Sequence, residues 1–410
     1  MTVVGPFQQV TWPLAPVGSF VDLENGYPFD SETFASESGV PLVRIRDLSA
    51  SDFSTFVPEP VSSRVMLQDG DVVIGMDGDF NVIRWCRGPA ALNQRLCRLR
   101  AKPGNDLRYV EYALPSVLVD INATQFATTV KHLSSGEILG SRIPCPPLEE
   151  QRRIADFLDD QVTRIDQAIH LRTRQVELVQ SDCAARLDEI LTVAGPTVRL
   201  SQVSDPMRPI QYGIVLPGPD FAGGVPIVKG GDVSTNRLHP DLLNRTDPDI
   251  ESRYPRSRLV AGDLLIAIRG SVGEVAEVPA SLEGANITQD AARIAPKFCD
   301  AKWLRWTLQT PTVQNRIKRQ ITGATVTGIN IGSLRRVKLP DVPYDLQVRL
   351  GQEAESLSSR TSRLSTLITQ SVTLLHERKR SLITAAVTGE FDVSSASSRA
   401  ADDVTEVVGV

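Results

Sequence analysis

The sequence predicts an α+β protein: two similar mixed α/β domains, and two long helices that pair with each other inside one chain. Three observations carry this. Residues 147–191 and 347–387 are long stretches almost free of helix breakers. Each holds an apolar seam in alternating four- and three-residue steps. Segments of the first half recur in the second at a slowly drifting offset, which marks an internal duplication.

Between Pro147 and Gly195 there is neither glycine nor proline. That permits one helix of roughly 40 residues, about 60 Å long at about 1.5 Å per residue. Its seam reads Leu158, Val162, Ile165, Ile169, Arg172, Val176, Val179, Cys183, Arg186 and Ile190. A seam kept in phase that long asks for a partner helix. Arg172 and Arg186 interrupt it, either as register or partner-contact positions or as stems that snorkel to solvent. The partner is residues 347–387, where only Gly351 departs from helix-forming composition. Leu350, Ala354, Leu357, Thr361, Leu364, Ile368, Ser371, Leu375, Arg378, Leu382 and Ala385 repeat the alternation more weakly.

The duplication extends upstream. Residues 147–151 (PLEEQ) align on 343–347 (PYDLQ) at an offset of 196, from Gln151 to Gln347. Residues 40–44 (VPLVR) align on 225–229 (VPIVK) at 185, and 69–74 (DGDVVI) on 261–266 (AGDLLI) at 192. The expected domains are residues 1–146, a first long helix in 147–194, a second domain in 195–342, a second long helix in 343–391, and a disordered tail in 392–410. That tail, DVSSASSRAADDVTEVVGV from Asp392, has few large apolar groups.

In the first domain, Val72–Ile74 and Asn81–Trp85 are short strand candidates around an Asp77-Gly78-Asp79 hairpin tip. Residues 107–118 read as a short helix ending at Pro115, and residues 128–134 as a hydroxyl-rich loop. In the second, residues 225–228 form a strand entering Lys229-Gly230-Gly231-Asp232, and 263–268 a buried strand running into Arg269-Gly270-Ser271-Val272-Gly273. Residues 274–278 return as a strand. Residues 303–319 have helical spacing broken at Pro311, before the Gly- and Thr-rich loop 322–328.

A chain of 410 residues, 41% hydrophobic and 23% charged, has ordinary globular composition. No apolar run reaches bilayer length and MTVVGPFQQV is no signal peptide, so no membrane is expected and a cytoplasmic location is. Five scattered cysteines without a C-x-x-C pair support neither a disulfide framework nor a zinc site. The net charge of −5 argues against a protein that clings to nucleic acid everywhere. Distribution qualifies that. Residues 301–340 contain no acid but Lys302, Arg305, Arg316, Lys318, Arg319, Arg335, Arg336 and Lys338. Residues 84–108 hold Arg84, Arg87, Arg95, Arg98, Arg100, Lys102 and Arg108 against Asp106 alone. Either stretch alone is compatible with a solvated face; a basic stretch in both halves favours phosphate contact.

Catalytic signatures are missing. No G-x-x-x-x-G-K-[ST] loop occurs, and Gly270–Gly273 links strand to strand, so no nucleotide site is expected. No Asn-Pro-Pro-aromatic or Asp-Pro-Pro-aromatic sequence marks a base-methylating centre, and His132, His170, His239 and His376 stand far apart. A binding repertoire remains, because Arg and Lys read guanine edges, Asn and Gln adenine edges, and Ser or Thr phosphates. The candidate contacts are Asp77, Gly78, Asn81, Arg84, Trp85 and Arg87 on the hairpin, then Asn93, Gln94 and Arg95, then Lys131, His132 and Ser134. In the second half they are Lys229, Arg269, Gly270, Ser271, Asn286, Gln289, Lys318, Thr322, Gly323 and Thr325. The plainer reading of Asn93, Gln94 and Gln289 is that they satisfy loop backbone.

With the repeats laid out, the chain resembles the specificity subunit of type I restriction–modification systems. Ile143-Pro144 followed by PLEEQRRIADFLD (147–159) and Arg164-Ile165-Asp166 resembles the family's first long-helix entry, and ERKRSLITAAVTGE (377–390) its distal helix terminus. GYPFDSETF (26–34), VPLVRIRDL (40–48), NQRLCRL (93–99), GVPIVKGGDV (224–233) and IRGSVGEVAEVP (268–279) match its recognition-domain patterns. PYDLQVRLGQEA (343–354) departs from the usual second helix entry, P-L-x-E-Q-x-x-I. The resemblance implies a non-catalytic protein with two target-recognition domains, each reading one part of a bipartite, asymmetric site in double-stranded DNA. The domains would be separated by two long antiparallel helices forming an intramolecular coiled coil, which docks two methyltransferase subunits. It implies no cofactor in this subunit; S-adenosylmethionine, ATP and Mg2+ would act in the methyltransferase and restriction/translocase subunits. Two other readings compete. One is a self-contained nuclease or methyltransferase, against which the missing signatures speak. The other is a coiled-coil adaptor that binds protein partners.

Overall fold

A computed structural model describes residues 7, 10–48, 50, 52–124, 132–234, 236–321 and 328–393. The chain divides into two compact units, residues 1–171 with 372–410, and residues 172–371.

In the first unit, β1 (Leu14–Pro16), β2 (Val21–Asn25), β3 (Val40–Val43), β4 (Phe56–Val57) and β5 (Met66–Leu67) precede the hairpin of β6 (Val72–Gly75) and β7 (Val82–Arg84). Then come β8 (Ala90–Leu92), β9 (Leu96–Ala101), α1 (Leu107–Thr124), α2 (Ser135–Gly140), β10 (Arg142–Pro144) and the start of α3 (Leu148–Leu191). Sheets run β2-β9-β6-β7, β4-β3-β8-β5 and β1-β10. The predicted hairpin is the β6–β7 pair, with Val72 opposite Arg84. Its tip turns through left-handed backbone at Gly78 (φ 78°) and at Phe80 (φ 52°), whose ring is buried. The helix expected to stop at Pro115 instead continues to Thr124. Pro115 lies on the exposed side, where water can satisfy the carbonyl its missing N–H leaves open. Tyr109, Val110, Ala113, Leu114, Val117, Leu118 and Ile121 bury the other face.

The second unit repeats the plan. β11 (Thr197–Arg199), α4 (Leu200–Val203), β12 (Gln211–Tyr212), β13 (Val225–Val228), β14 (Arg245–Thr246) and α5 (Pro248–Glu251) lead to the hairpin of β15 (Leu264–Ala267) and β16 (Val275–Glu277). β17 (Asn286–Ile287), β18 (Ala291–Ile294), α6 (Ala301–Gln309), α7 (Pro311–Lys318), α8 (Ile331–Arg335), β19 (Lys338–Pro340) and α9 (Tyr344–Thr388) complete it. Its sheets run β12-β18-β15-β16, β14-β13-β17 and β11-β19. The parallel pair β3–β8 recurs as β13–β17. The duplication seen in the sequence is thus a duplication of topology. Where α1 is continuous, the second unit breaks into α6 and α7, because Thr310 caps a new helix with Pro311 in its first turn.

The two long helices are α3 and α9, and they pair antiparallel. In the first unit Ile154 and Leu158 of α3 share a core with Ala386 and Val387 of α9, and Lys379 Nζ donates to both Asp166 oxygens at 2.8 and 2.7 Å. In the second unit Cys183, Leu187 and Leu191 share a core with Ala354. The predicted seam holds from Leu158 to Cys183 and then shifts. Leu187 and Leu191 are buried there in place of Arg186 and Ile190, and Arg186 pairs with Asp182 on the surface at 2.9 Å. Four-residue steps are what a straight helix shows when it lies on a globular core rather than on another helix. On α9, Leu364 and Arg378 likewise fall on the exposed side.

The unusual entry to α9 keeps the contact that matters. In the first unit the buried Gln151 side chain accepts from Asp106 N at 2.9 Å and donates to Pro146 O at 3.0 Å. Gln347 does the same with Asp300 N at 2.9 Å and Val342 O at 2.9 Å. Gly351 stands where α3 has the buried Ala155. A Cβ at Gly351 would lie 2.7 Å from Trp303 N, so α9 approaches α6 closer than alanine would permit.

Candidate nucleic-acid interface

In the first unit three candidate groups meet at the end of β6. Asp77 bridges to His132 across an antiparallel pair, and its Oδ1 lies 2.7 Å from His132 Nδ1. Arg95 reaches Asp77 Oδ2 at 3.6 Å and remains 56% exposed. The Met76 amide donates to Arg95 O at 3.0 Å, which fixes the start of β9 beside the hairpin. Gln94 is exposed next to Arg95, and its amide donates to Tyr27 O at 3.0 Å. Tyr27 is itself exposed, edge-on to Phe29 at 5.1 Å between centroids. Gly26 permits this approach, because a Cβ there would fall 2.1 Å from Asn93 O. Gly78 and Asn81 are exposed on the hairpin, and Asn93 is half-buried. Ser134 is exposed and caps α2, accepting from Glu137 N at 3.2 Å.

The second unit builds the same place with the signs exchanged. Arg269 occupies the position of Asp77, bridging to Gly328, and Asp290 that of Arg95, its carbonyl accepting from Ile268 N at 2.9 Å. Arg269 Nη1 and Asp290 Oδ1 lie 3.7 Å apart, and Arg269 is 46% exposed. Gly270 and Ser271 are exposed and Gln289 is half-buried. Lys229 joins from β13 through Gly230, whose Cβ would meet Arg269 O and Asp290 O at 2.9 Å each; its Nζ donates to Asn244 Oδ1 at 2.9 Å. Sequence reasoning missed Tyr27 and Asp290. The signal for Asp290 was its place in Thr288-Gln289-Asp290, the repeat of Asn93-Gln94-Arg95.

Other candidates fold elsewhere. Trp85 is 1% exposed and donates from Nε1 to Gly88 O at 2.6 Å; Asn286 is 0% exposed and donates to Glu251 Oε1 at 3.0 Å and Tyr254 O at 3.1 Å. Both are core polar groups with their partners inside the unit. Arg87 stacks on Trp85 and donates to the carbonyls of Ala50 and Asp47. Lys318 is exposed at the end of α7. Lys131, Thr322, Gly323 and Thr325 lie outside the described residues.

Arg84 belongs to a network that fastens the first unit to α3. It donates to Glu111 at 2.6 Å and to Asp159 at 2.8 Å, and Asp159 also accepts from Tyr112 at 2.7 Å and Arg108 at 3.1 Å. The second unit again exchanges signs. Glu277 and Arg305 take the places of Arg84 and Glu111 at 3.7 Å, and Trp306 Nε1 donates to Glu355 at 3.1 Å where Tyr112 meets Asp159. Burial pushes the Glu111 carboxyl up, against the pull of Arg84. Burial acts the same way on Asp159, but hydrogen bonds from Arg84 and Tyr112 win and hold it below the usual aspartate range. Its contribution is therefore present above the ordinary aspartate value and lost as pH falls through the depressed one. Asp159→Asn is expected to cost roughly 1–3 kcal/mol at neutral pH and to flatten the acid-side loss of stability. Denaturant melts at several pH values check this, and an unchanged acid slope would contradict it.

The basic stretch at 84–108 is largely neutralised inside the unit. Arg98 is buried against Glu24 and Asp71, Lys102 donates to Gly18 O, and Arg108 pairs with Asp106 and Asp156. Arg95 and Arg100 are the exposed arginines of this stretch with loose ion pairs, at 3.6 Å to Asp77 and 3.8 Å to Glu24, and Arg95 is the one beside the hairpin tip. Burial pushes the thiols of Cys97 and Cys299 up to about 12, so neither is a nucleophile at neutral pH. Among the described residues no group of three or more His, Cys, Asp or Glu is arranged to hold a metal, and no helix is long and apolar enough to cross a membrane.

Known proteins share this arrangement. The family described as type I restriction modification DNA specificity domain matches residues 9–177. The type I restriction enzyme EcoBI specificity subunit of Escherichia coli is 27% identical over 415 residues, covering 93% of this chain and 86% of that protein. Over most of its length this chain is similar to type I restriction enzyme specificity subunits. A second specificity subunit, that of the MjaVIII enzyme of Methanocaldococcus jannaschii, is 20% identical over 389 residues, 85% of this chain and 86% of that protein. Two solved structures share the fold. A chain from a study of complex assembly and conformational transition of the type I R-M system matches with a TM-score of 0.72 at 18% identity, over 94% of this chain and 100% of that one. The HsdS subunit from Thermoanaerobacter tengcongensis matches with a TM-score of 0.52 at 18% identity, over 94% and 99%. The specificity-subunit fold thus accounts for both repeats and both long helices.

Proposed function

We propose that this protein is the DNA-recognition subunit of a type I restriction–modification complex, and that each unit reads one part of a bipartite, asymmetric duplex target. The observation that carries the reading is the repeated site. One topology presents Asp77, Gln94, Arg95 and His132 in one unit, and Arg269, Gln289, Asp290 and Gly328 at matching places in the other. Two readers of common ancestry and different chemistry suit a target with two unlike halves. Arg95 and Arg269 are the guanine-reading groups, Gln94 and Gln289 adenine-reading ones, and Lys229 serves phosphates beside the second pair, with Lys131, Thr322, Gly323 and Thr325 assigned to phosphates by residue type. The long helices dock two methyltransferase subunits, and restriction/translocase subunits attach through them. S-adenosylmethionine, ATP and Mg2+ serve in those partners, in the cytoplasm, and the base to be methylated is flipped by the partner.

The assembled complex is expected to bind duplex DNA with an affinity that falls steeply as salt rises. Titrations at several salt concentrations measure it. Undetectable or salt-independent binding would favour the adaptor reading. Modification-sensitive sequencing of host DNA with and without the gene is expected to reveal one bipartite motif.

A further inference from the structure

The second unit carries a basic groove that the recognition cluster does not use. It lies between the end of α7 and the junction of α8 with β19, holds about 320 Å3, and is lined by Arg316, Arg319, Gln320, Arg336, Val337 and Lys338. Arg316 Nη1 donates to Lys338 O at 2.7 Å, and Arg336 Nη2 to Ser333 Oγ at 3.3 Å, so two guanidinium groups are oriented by neutral partners. Among the described residues no carboxylate forms an ion pair with any of the four cations, and residues 301–340 contain no acid at all. Four like charges converging without a counter-charge repel one another, and a bound anion relieves that repulsion.

The fold does not demand the two guanidinium groups Arg316 and Arg336. The matching positions in the first unit are Asn122 for Arg316 and Gly140 for Arg336, while Arg142 on β10 keeps the charge of Lys338 on β19. Ser134 caps α2 as Asn330 caps α8. The groove also adjoins the proposed reading site. Gln314, one half-turn before Arg316, donates from Nε2 to Gly273 O at 2.8 Å and so ties α7 to the Arg269–Gly273 loop. We infer that this groove holds backbone phosphodiesters of duplex DNA, and that it does so on the second unit's side only. The inference rests on the DNA-reading proposal and adds to it a sequence-independent grip at one end.

The test uses the whole complex and the triple variant Arg316→Gln, Arg319→Gln, Arg336→Gln, with Arg316→Lys, Arg336→Lys as the charge-conserving control. Each phosphate contact contributes about 0.9 to the slope of log K against log salt, so the triple variant is expected to lower that slope by roughly 2–3 and the control to keep it. The affinity loss is expected to be equal on cognate and unrelated duplexes, with the methylated motif unchanged. Phosphate-ethylation interference beyond one half-site should vanish in the same variant. An unaltered slope in a variant that melts and assembles normally would overturn the inference while leaving the DNA-reading proposal intact. Loss of assembly with the methyltransferase subunits at full DNA affinity would also overturn it, and would make the groove a protein-docking surface. A wild-type complex that shows no salt-dependent binding would sink both.

Discussion

Arg95→Ala in the assembled complex is expected to relax base preference at one half-site by about 10–100-fold, the 1–3 kcal/mol of one good bidentate contact, and to leave the other half-site unchanged. Arg269→Ala is expected to do the same at the opposite half-site. Both follow from geometry. Each arginine is about half exposed and is held at 3.6–3.7 Å by a single carboxylate, Asp77 or Asp290. A pair that loose costs little to part, since exposed ion pairs contribute only about 0–1 kcal/mol. The guanidinium is thus oriented without being consumed. Motif logos from methylation of a randomised library measure the effect. A shift at both half-sites in either variant, or at neither, would contradict the assignment.

Gln151→Leu and Gln347→Leu are expected to destabilise their own units by about 2–5 kcal/mol each. Leucine fills the volume but leaves an amide N–H and a carbonyl unpaired inside the protein, at roughly 1–3 kcal/mol per group. For units of this size that lowers the melting temperature on the order of 10 °C. Matching losses in the two variants would show that the second helix entry, despite its different wording, works as the first does. A loss in Gln151→Leu alone would mean that Gln347 no longer anchors α9.

Much of the fold was legible because it depends on local patterns. The long helices were visible from the absence of breakers and from seams such as Leu158, Ile165 and Cys183, and the hairpin tips from Asp77-Gly78 and Gly270. The end of α1 lies beyond Pro115 because proline is disfavoured in a helix only on average, and the exposed side there tolerates it. The site was less legible, for a different reason. A run of arginines says nothing of where their counter-charges lie. Arg84 meets Asp159 from 75 residues away and Arg98 meets Glu24 from 74, so a stretch that looks unneutralised in one dimension is neutralised in three. The run at 301–340 keeps open cations among its described residues, Arg316, Arg319, Arg336 and Lys338 among them. Trp85 and Asn286 were selected by residue type, and their polar atoms turned out to satisfy the interior. The sign exchanges at Asp77/Arg95 and Arg84/Glu111 could be seen only after strand register had aligned the two halves.

Exchanging residues 1–146 for the corresponding domain of another specificity subunit, followed by modification-sensitive sequencing of the host genome, tests the central claim most directly. Independent reading by two units predicts a new motif in which one half-site is replaced and the other is kept base for base. Alteration of both half-sites by that exchange would contradict the account.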